Sequence, residues 1–243
     1  MPLGQIDIYG KDKVQVVIDR LRQFQPEEGY YLCFSGGKDS LVLYHLCKEG
    51  GIKFDAHYFR TSVDPPELIY FIRDQYKDVI VEKPKMTMWD LIIYKGFPPT
   101  RVRRYCCEYL KEGHGVGRVC LTGVRWSESV RRRNARKMVE SCVKMSKFVV
   151  NPILDWSDSE VWEYLRSRGI NYCELYDQGF TRLGCIGCPM SSVHQRVKEF
   201  KRWPKYYELY LRTFDKMLKR RIERNQPTNW ENAQQVMEWW LYG

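Results

Sequence analysis

Six residues constrain this chain more than any other stretch. Ser35-Gly36-Gly37-Lys38-Asp39-Ser40 follows the apolar run Gly29–Phe34 (GYYLCF) and precedes Leu41–Cys47, which is patterned at helical period. The order is strand, glycine loop, helix. Two adjacent glycines let the backbone approach an anion and adopt positive φ, and the helix that follows aims free N–H groups at that anion. Lys38 can neutralise phosphate charge, and Ser35 and Ser40 offer hydroxyl donors. Asp39 beside phosphates is repelled unless a cation intervenes, which points to a Mg²⁺ ligand, direct or through water. The bland alternative is a plain turn with a helix cap. Its place after a buried strand, where open α/β sheets bind ligands, favours the anion site. The Walker A spacing is absent, which weighs against a kinase or GTPase.

The rest of the chain supplies the frame. Val14, Val17, Ile18 and Leu21 predict an amphipathic helix over 11–24. Apolar runs at 54–59, 79–81, 119–124 and 148–153 predict further strands, with helical segments between them. Alternation of this kind implies an α/β fold, a Rossmann-like, mostly parallel sheet with helices on both faces. Ser157-Asp158-Ser159-Glu160 is a capping box opening a helix through about Arg166. Beyond Cys188 no strand pattern remains. Pro204 suits the first turn of a long helix, with Tyr207, Leu209, Leu211, Phe214, Met217 and Leu218 as its apolar surface, and Trp239-Trp240 is expected to pack on the body. The expected organisation is an N-terminal helix over 1–28, a nucleotide-binding domain over 29–189 and a basic helical extension over 190–243.

Composition narrows the class. A chain of 243 residues with 44% hydrophobic and 14% aromatic residues is neither disordered nor collagenous nor a mini-protein. No apolar run approaches the ~20 residues of a membrane span, and MPLGQIDIYG lacks the basic-then-apolar pattern of a signal peptide. A cytoplasmic protein without a membrane partner is expected. The net charge of +10 suggests a polyanionic partner or an anionic substrate. Residues 196–224 hold eleven Lys/Arg against four Asp/Glu, and 131–137 (RRRNARK) add five more cations. Both have a solvated-surface reading beside a nucleic-acid one.

A second anion element follows another apolar strand: Leu121-Thr122-Gly123-Val124-Arg125-Trp126-Ser127-Glu128-Ser129. Gly123 permits close approach, and Arg125 and Arg132 carry planar forks suited to phosphate or sulfate. On a parallel sheet this element and the first glycine loop can face one crevice. Arg131, Arg133, Arg136 and Lys137 read as surface.

The nine cysteines fall into two groups. Cys33, Cys47, Cys120, Cys142 and Cys173 are scattered, mostly beside apolar residues, and read as small core residues. Cys106-Cys107 and Cys185-Ile186-Gly187-Cys188 are clustered, in Gly/Arg-rich loops. Three chemistries compete there: an iron–sulfur cluster, a structural zinc and a redox dithiol. Adjacent cysteines bend awkwardly to one ion, whereas a [4Fe–4S] cluster offers each thiolate its own iron.

Taken in order, SGGKDS, RYCCEYLK (104–111), GVRWSESVRR (123–132), NPILDWSDSEVWEYL (151–165) and YDQGFTRLGCIGCP (176–189) resemble the phosphoadenylyl-sulfate (PAPS/APS) reductase family of the PP-loop ATP pyrophosphatase superfamily. The resemblance covers roughly 29–189. It implies a loop that binds pyrophosphate oxygens and nucleotide contacts at Ser35, Gly36, Gly37, Lys38, Asp39, Ser40, Gly123, Arg125 and Arg132. It also implies a [4Fe–4S] cluster on Cys106, Cys107, Cys185 and Cys188. Sulfonucleotide reductases of the family carry a nucleophilic cysteine in a later Glu-Cys-Gly-x-His motif; here no cysteine follows Cys188, and His194 lacks that context. The pattern is similar to the cluster-bearing ATP pyrophosphatases of DNA phosphorothioation and, more distantly, to tRNA-thiolating enzymes. The expectation is therefore an enzyme that cleaves ATP·Mg²⁺ to AMP and pyrophosphate and assists sulfur transfer to nucleic acid. Lys38, Asp39 and Arg125 would be catalytic, with a sulfur donor such as a cysteine desulfurase as partner. A homodimer is compatible with this. Asp64 and Glu67 are weaker candidates near the nucleotide, equally readable as solvated loop acids. A sulfonucleotide reductase and a non-catalytic iron–sulfur nucleotide-binding subunit are the alternatives.

Overall fold

The computed structural model describes residues 12–142 and 146–243. In chain order the elements are α1 (Lys13–Gln23), β1 (Tyr30–Phe34), α2 (Lys38–Glu49), β2 (Phe54–Phe59), α3 (Pro66–Gln75), β3 (Ile80–Glu82), α4 (Met88–Lys95) and α5 (Tyr105–Cys107). After them come β4 (Val119–Leu121), α6 (Val130–Ala135), β5 (Val139–Cys142), β6 (Lys147–Val150), α7 (Asp158–Ser167), α8 (Val193–Arg202), α9 (Pro204–Glu223) and α10 (Ala233–Tyr242). The chain divides into two compact units. One comprises the residues up to Tyr58 with Glu67–Glu82 and His114–Leu183; the other comprises Phe59–Pro66, Lys83–Gly113 and Gly184–Gly243.

The first unit is built on a six-stranded sheet of order β3-β2-β1-β4-β6-β5. β1 pairs in parallel with β2 (Tyr30 opposite Phe54) and with β4 (Tyr31 opposite Cys120), β4 pairs in parallel with β6, and β5 is antiparallel to β6. The fold is Rossmann-like. From β1 the chain moves outward to β2 and β3, then returns to place β4 on the other side of β1. The gap between β1 and β4 is therefore the topological switch point, where such sheets open a crevice at their strand ends.

Local chemistry sets these elements. Asp12 caps α1, accepting from the Val14 amide at 2.6 Å, and Val14, Val17, Ile18 and Leu21 bury one stripe. Tyr30, Leu32 and Phe34 of β1 are buried, and the Tyr30 hydroxyl donates to the Leu21 carbonyl at 2.8 Å. The capping box of α7 forms as its sequence implies: Ser157 accepts from the Glu160 amide, and Glu160 reaches back to the Ser157 amide at 2.7 Å.

Three expectations needed revision. The run 119–124 is strand only to Leu121, and 148–153 only to Val150, because Thr122–Val124 and Asn151–Leu154 leave the sheet as loops. β5 (VESC) has apolar residues only at its two ends, Val139 and Cys142, too short a pattern to signal a strand; it is an edge strand held by its pairing to β6. Of the scattered cysteines, Cys47, Cys120 and Cys173 are buried and Cys33 is half-buried; the Cys142 side chain lies outside the described residues.

The second unit packs its helices around Phe200, Tyr210, Phe214 and Trp240. Pro204 opens α9. The buried face of that helix is Tyr210, Thr213, Phe214, Met217 and Leu218, spaced by three and four; Leu209 is exposed and Tyr207 and Leu211 are half-buried, since they fall off that stripe. Trp240 is buried, its indole N–H donating to the Pro99 carbonyl at 2.7 Å, whereas Trp239 is exposed beside Trp230. No helix among the described residues is long and apolar enough to cross a membrane.

Gly187 lies inside this packing with φ +73°, and a Cβ there would stand 2.9 Å from Phe200 and 3.0 Å from Trp240. Gly187→Ala is expected to destabilise the protein by about 1–3 kcal/mol through overpacking, read as a lower denaturation midpoint. An unchanged midpoint would contradict this packing.

Candidate active site

The first glycine loop leaves the C-terminal end of β1. Gly36 has φ +69°, and a Cβ on it would meet Ile72 at 2.7 Å and Leu68 at 2.8 Å, so only glycine fits. The Ser35 amide donates to the Ser40 hydroxyl at 3.1 Å, and the Ser40 hydroxyl donates to the Gly37 carbonyl at 2.9 Å. These bonds fold the loop into the first turn of α2. Gly37 is the cap residue of α2 and has no side chain to cap with. The Tyr176 hydroxyl takes that role, accepting from the Lys38 amide at 2.9 Å.

The second loop leaves the end of β4. Gly123 is required by contact: a Cβ would stand 2.9 Å from the Asp39 Cβ and 3.0 Å from its carbonyl carbon. This lets the start of α2 lie against the end of β4. Arg125 then reaches under the glycine loop. It is only 2% exposed, and every guanidinium nitrogen is used. Nε donates to Asp39 at 2.6 Å, Nη2 to Asp158 at 2.9 Å, and Nη1 to the Ser127 hydroxyl at 2.7 Å and the Trp156 carbonyl at 3.3 Å. Lys38, also buried, places Nζ 3.2 Å from the same Asp158 oxygen and 3.5 Å from Asp39. Two cations and two carboxylates thus form a closed quartet at the switch point. Burial pushes the Asp158 carboxyl up, but Lys38 and Arg125 together outweigh it and hold the group below its ordinary value.

Of the residues expected here, the structure brings Ser35–Ser40, Gly123 and Arg125 together. Arg132 is engaged with Glu128 one helical turn back. Asp64 and Glu67 fall in different units. Asp158 and Tyr176 were not singled out from the sequence. Asp158 could have been found as the acidic first residue of a capped helix, but nothing in its spacing announced a second partner for Lys38. Tyr176 carried no signal beyond its motif, because its bond spans 138 positions.

The four clustered cysteines all lie in the second unit. Cys106 feels Cys107 by hydrogen bond and Cys185 and Cys188 by charge, all of which, with burial, raise it. Cys107 is lowered to about 5 by the Cys106 thiol and, against the cost of burial, by Arg104, whose Nη2 is 3.5 Å from its sulfur. The charge of Cys185, then Asp64, draws Lys111 up. The Cys185 sulfur lies 3.7 Å from the Thr61 hydroxyl. Among the described residues, no group of three or more His, Cys, Asp or Glu converges on a position for one metal ion.

Comparison with known proteins fits this geometry. Residues 29–191 match the phosphoadenosine phosphosulfate reductase domain, and the chain belongs to that family within the PP-loop superfamily. Over 71% of the chain it is 26% identical to an adenosine 5'-phosphosulfate reductase of Staphylococcus epidermidis, covering 75% of that protein. It is 26% identical to an uncharacterized protein of Methanocaldococcus jannaschii over 84% of the chain, and 32% identical to another over 70%; it spans 45% of the length of each. A probable FAD synthase of Caenorhabditis elegans is 28% identical over 74% of the chain and 34% of that protein. The PAPS reductase of Candida auris shares the fold at TM-score 0.53 and 16% identity, over 74% of this chain and 90% of that one.

Asp158 pairs with both cations, so Asp158→Asn is expected to loosen them. The folded-state pKa of Asp158 is depressed. Its contribution is therefore present above the ordinary carboxylate value near ~4 and lost as pH falls through the lower folded value. With its side chain 62% exposed, that contribution is at most about 1 kcal/mol. The variant should show a shallower acid limb in stability against pH; an acid limb identical to the wild type would contradict the assignment.

Proposed function

We propose that this protein is an ATP pyrophosphatase that activates an acceptor oxygen for iron–sulfur-assisted sulfur transfer, with nucleic acid as the acceptor. One observation carries the nucleotide half of this reading. The strand ends at the switch point deliver Lys38, Asp39 and Arg125 to one place, beside a glycine loop that opens a helix. Family relatives named for sulfonucleotide reduction and for FAD synthesis agree with an adenine-nucleotide substrate.

In the proposed reaction the β- and γ-phosphates of ATP lie on Ser35–Ser40, with Mg²⁺ held by Asp39, direct or through water. The acceptor oxygen attacks the α-phosphorus, the bond to pyrophosphate breaks, and the acceptor is adenylated. Lys38 stabilises the charge that grows on the leaving pyrophosphate. Arg125, held under the loop, fixes Asp39 and sustains positive potential there; Gly123 and Arg132 complete the proposed nucleotide contacts. A sulfur nucleophile, supplied by a donor such as a cysteine desulfurase, then displaces AMP.

The donor set supports a cluster over a single ion. Four thiols lie in one unit, two adjacent in sequence, and Cys106 feels the other three. Each can take its own iron. A [4Fe–4S] cluster on Cys106, Cys107, Cys185 and Cys188 would supply the sulfur or electron chemistry. The residues of this chain that would hold it are in place around it: Arg104 and Lys111 would offset thiolate charge, and Gly187 admits the close packing of Phe200 and Tyr210. The basic residues of α8 and α9 would meet the phosphates of nucleic acid, a cytoplasmic DNA or tRNA.

The test is anaerobic purification followed by metal analysis and turnover. About four irons per chain are expected, lost in Cys106→Ser and Cys185→Ser. Release of AMP and pyrophosphate should fall by about 10²–10³-fold in Lys38→Ala. Sulfur from labelled cysteine should enter DNA or tRNA when a cysteine desulfurase is present. Sulfite released from APS or PAPS, with no ATP cleavage, would make the protein a sulfonucleotide reductase. Full turnover in Lys38→Ala would overturn the loop assignment.

A further inference from the structure

The bare face of the glycine loop is filled from within the same unit. A Cβ on Gly37 would stand 3.4 Å from the Ser35 hydroxyl and 3.5 Å from the Tyr176 hydroxyl, so the Tyr176 oxygen lies over the glycine, on the side left open for an approaching anion. The same oxygen accepts from the Lys38 amide, the first free N–H of α2. Lys38 Nζ lies 6.0 Å from the centre of the Tyr176 ring. Burial first, and then Asp39, Cys173 and Asp158, push the phenol up against the pull of the Lys38 amide, so it stays neutral.

We propose that the Tyr176 hydroxyl holds the place of a phosphate oxygen on the glycine loop, and that pyrophosphate or the pyrophosphate end of ATP must displace it to bind. This rests on the proposed nucleotide role of the loop and names a further residue of that site. An amide N–H makes one good hydrogen bond. A neutral phenol offers it an ordinary acceptor, whereas a phosphate oxygen offers a charge-assisted bond roughly twice as strong. The anion therefore wins, at the cost of breaking the bond to Tyr176. The phenol caps α2 in place of the side chain that Gly37 lacks.

The local setting of Tyr176 gives its displacement a readout. The residue lies at the end of a single 3₁₀ turn, Glu174–Tyr176, followed by Gly179 at φ +79°. Its ring packs edge-on against Trp162 at 5.0 Å and near Tyr172 at 6.1 Å. Displacement of the hydroxyl shifts the ring against Trp162, so entry of the anion is reported to the first turns of α7.

The test is calorimetric titration of the full chain with magnesium pyrophosphate, in the wild type and in Tyr176→Phe. Phenylalanine keeps the ring and its packing and removes only the competing oxygen. The variant is expected to bind pyrophosphate about two- to tenfold more tightly, the worth of one hydrogen bond. Loss of a merely structural contact would not tighten binding. Equal or weaker binding by a folded variant overturns the proposal. A wild type that binds no pyrophosphate overturns instead the nucleotide role of the loop. As an independent readout, pyrophosphate should change the wild-type tryptophan fluorescence, and the change should vanish in Trp162→Phe. Fluorescence unmoved at saturating pyrophosphate would also count against displacement of Tyr176.

Discussion

A buried guanidinium organises the nucleotide end of this protein. Arg125 has no water to satisfy it, so each of its nitrogens must find an acceptor inside the fold. It finds Asp39 at the start of α2, Asp158 at the start of α7, the Ser127 hydroxyl in the loop after β4 and the Trp156 carbonyl in the loop after β6. Those bonds tie the loop after β1, the loop after β4 and the cap of α7 into one piece. The approach works only because Gly123 lets α2 come within contact of β4. Lys38 completes the charge balance by sharing Asp158. The quartet balances its own charge. The carboxylates hold the two cations in place beside the glycine loop.

The same quartet separates two roles that look alike in sequence. Lys38 and Arg125 are both cations after glycines at strand ends. Lys38 is the first residue of α2, its Nζ paired with Asp158 and Asp39. Arg125 lies beneath the loop with its fork already committed, and acts on Asp39 rather than offering free donors to solvent. Arg132 is occupied by Glu128. A count of basic residues would have ranked these three together; burial and hydrogen-bond partners rank them apart.

Much of the frame was legible in the sequence because its signals are local. Helix α1 followed from a four-residue stripe, α7 from a capping box, α9 from Pro204, and β1 with its loop from an apolar run ending in two glycines. The strands that ended early or were missed share a different cause. β4 and β6 are short because the chain leaves the sheet to build the site, and β5 is polar because its pairing to β6, not its own burial, makes it a strand. Asp158 and Tyr176 were invisible as site residues because Lys38, a partner of each, lies over a hundred positions away. The gathering of Cys106, Cys107, Cys185 and Cys188 in one unit was suggested by composition and resemblance alone, as no local period links positions 107 and 185.

The most direct measurement of the central claim is ³¹P NMR of the products formed from ATP·Mg²⁺ by the anaerobically purified protein in the presence of nucleic acid. A glycine loop that grips the β- and γ-phosphates and leaves the α-phosphorus open to attack predicts AMP and pyrophosphate. ADP and orthophosphate would mean that cleavage falls at the γ-phosphate, and would contradict the account.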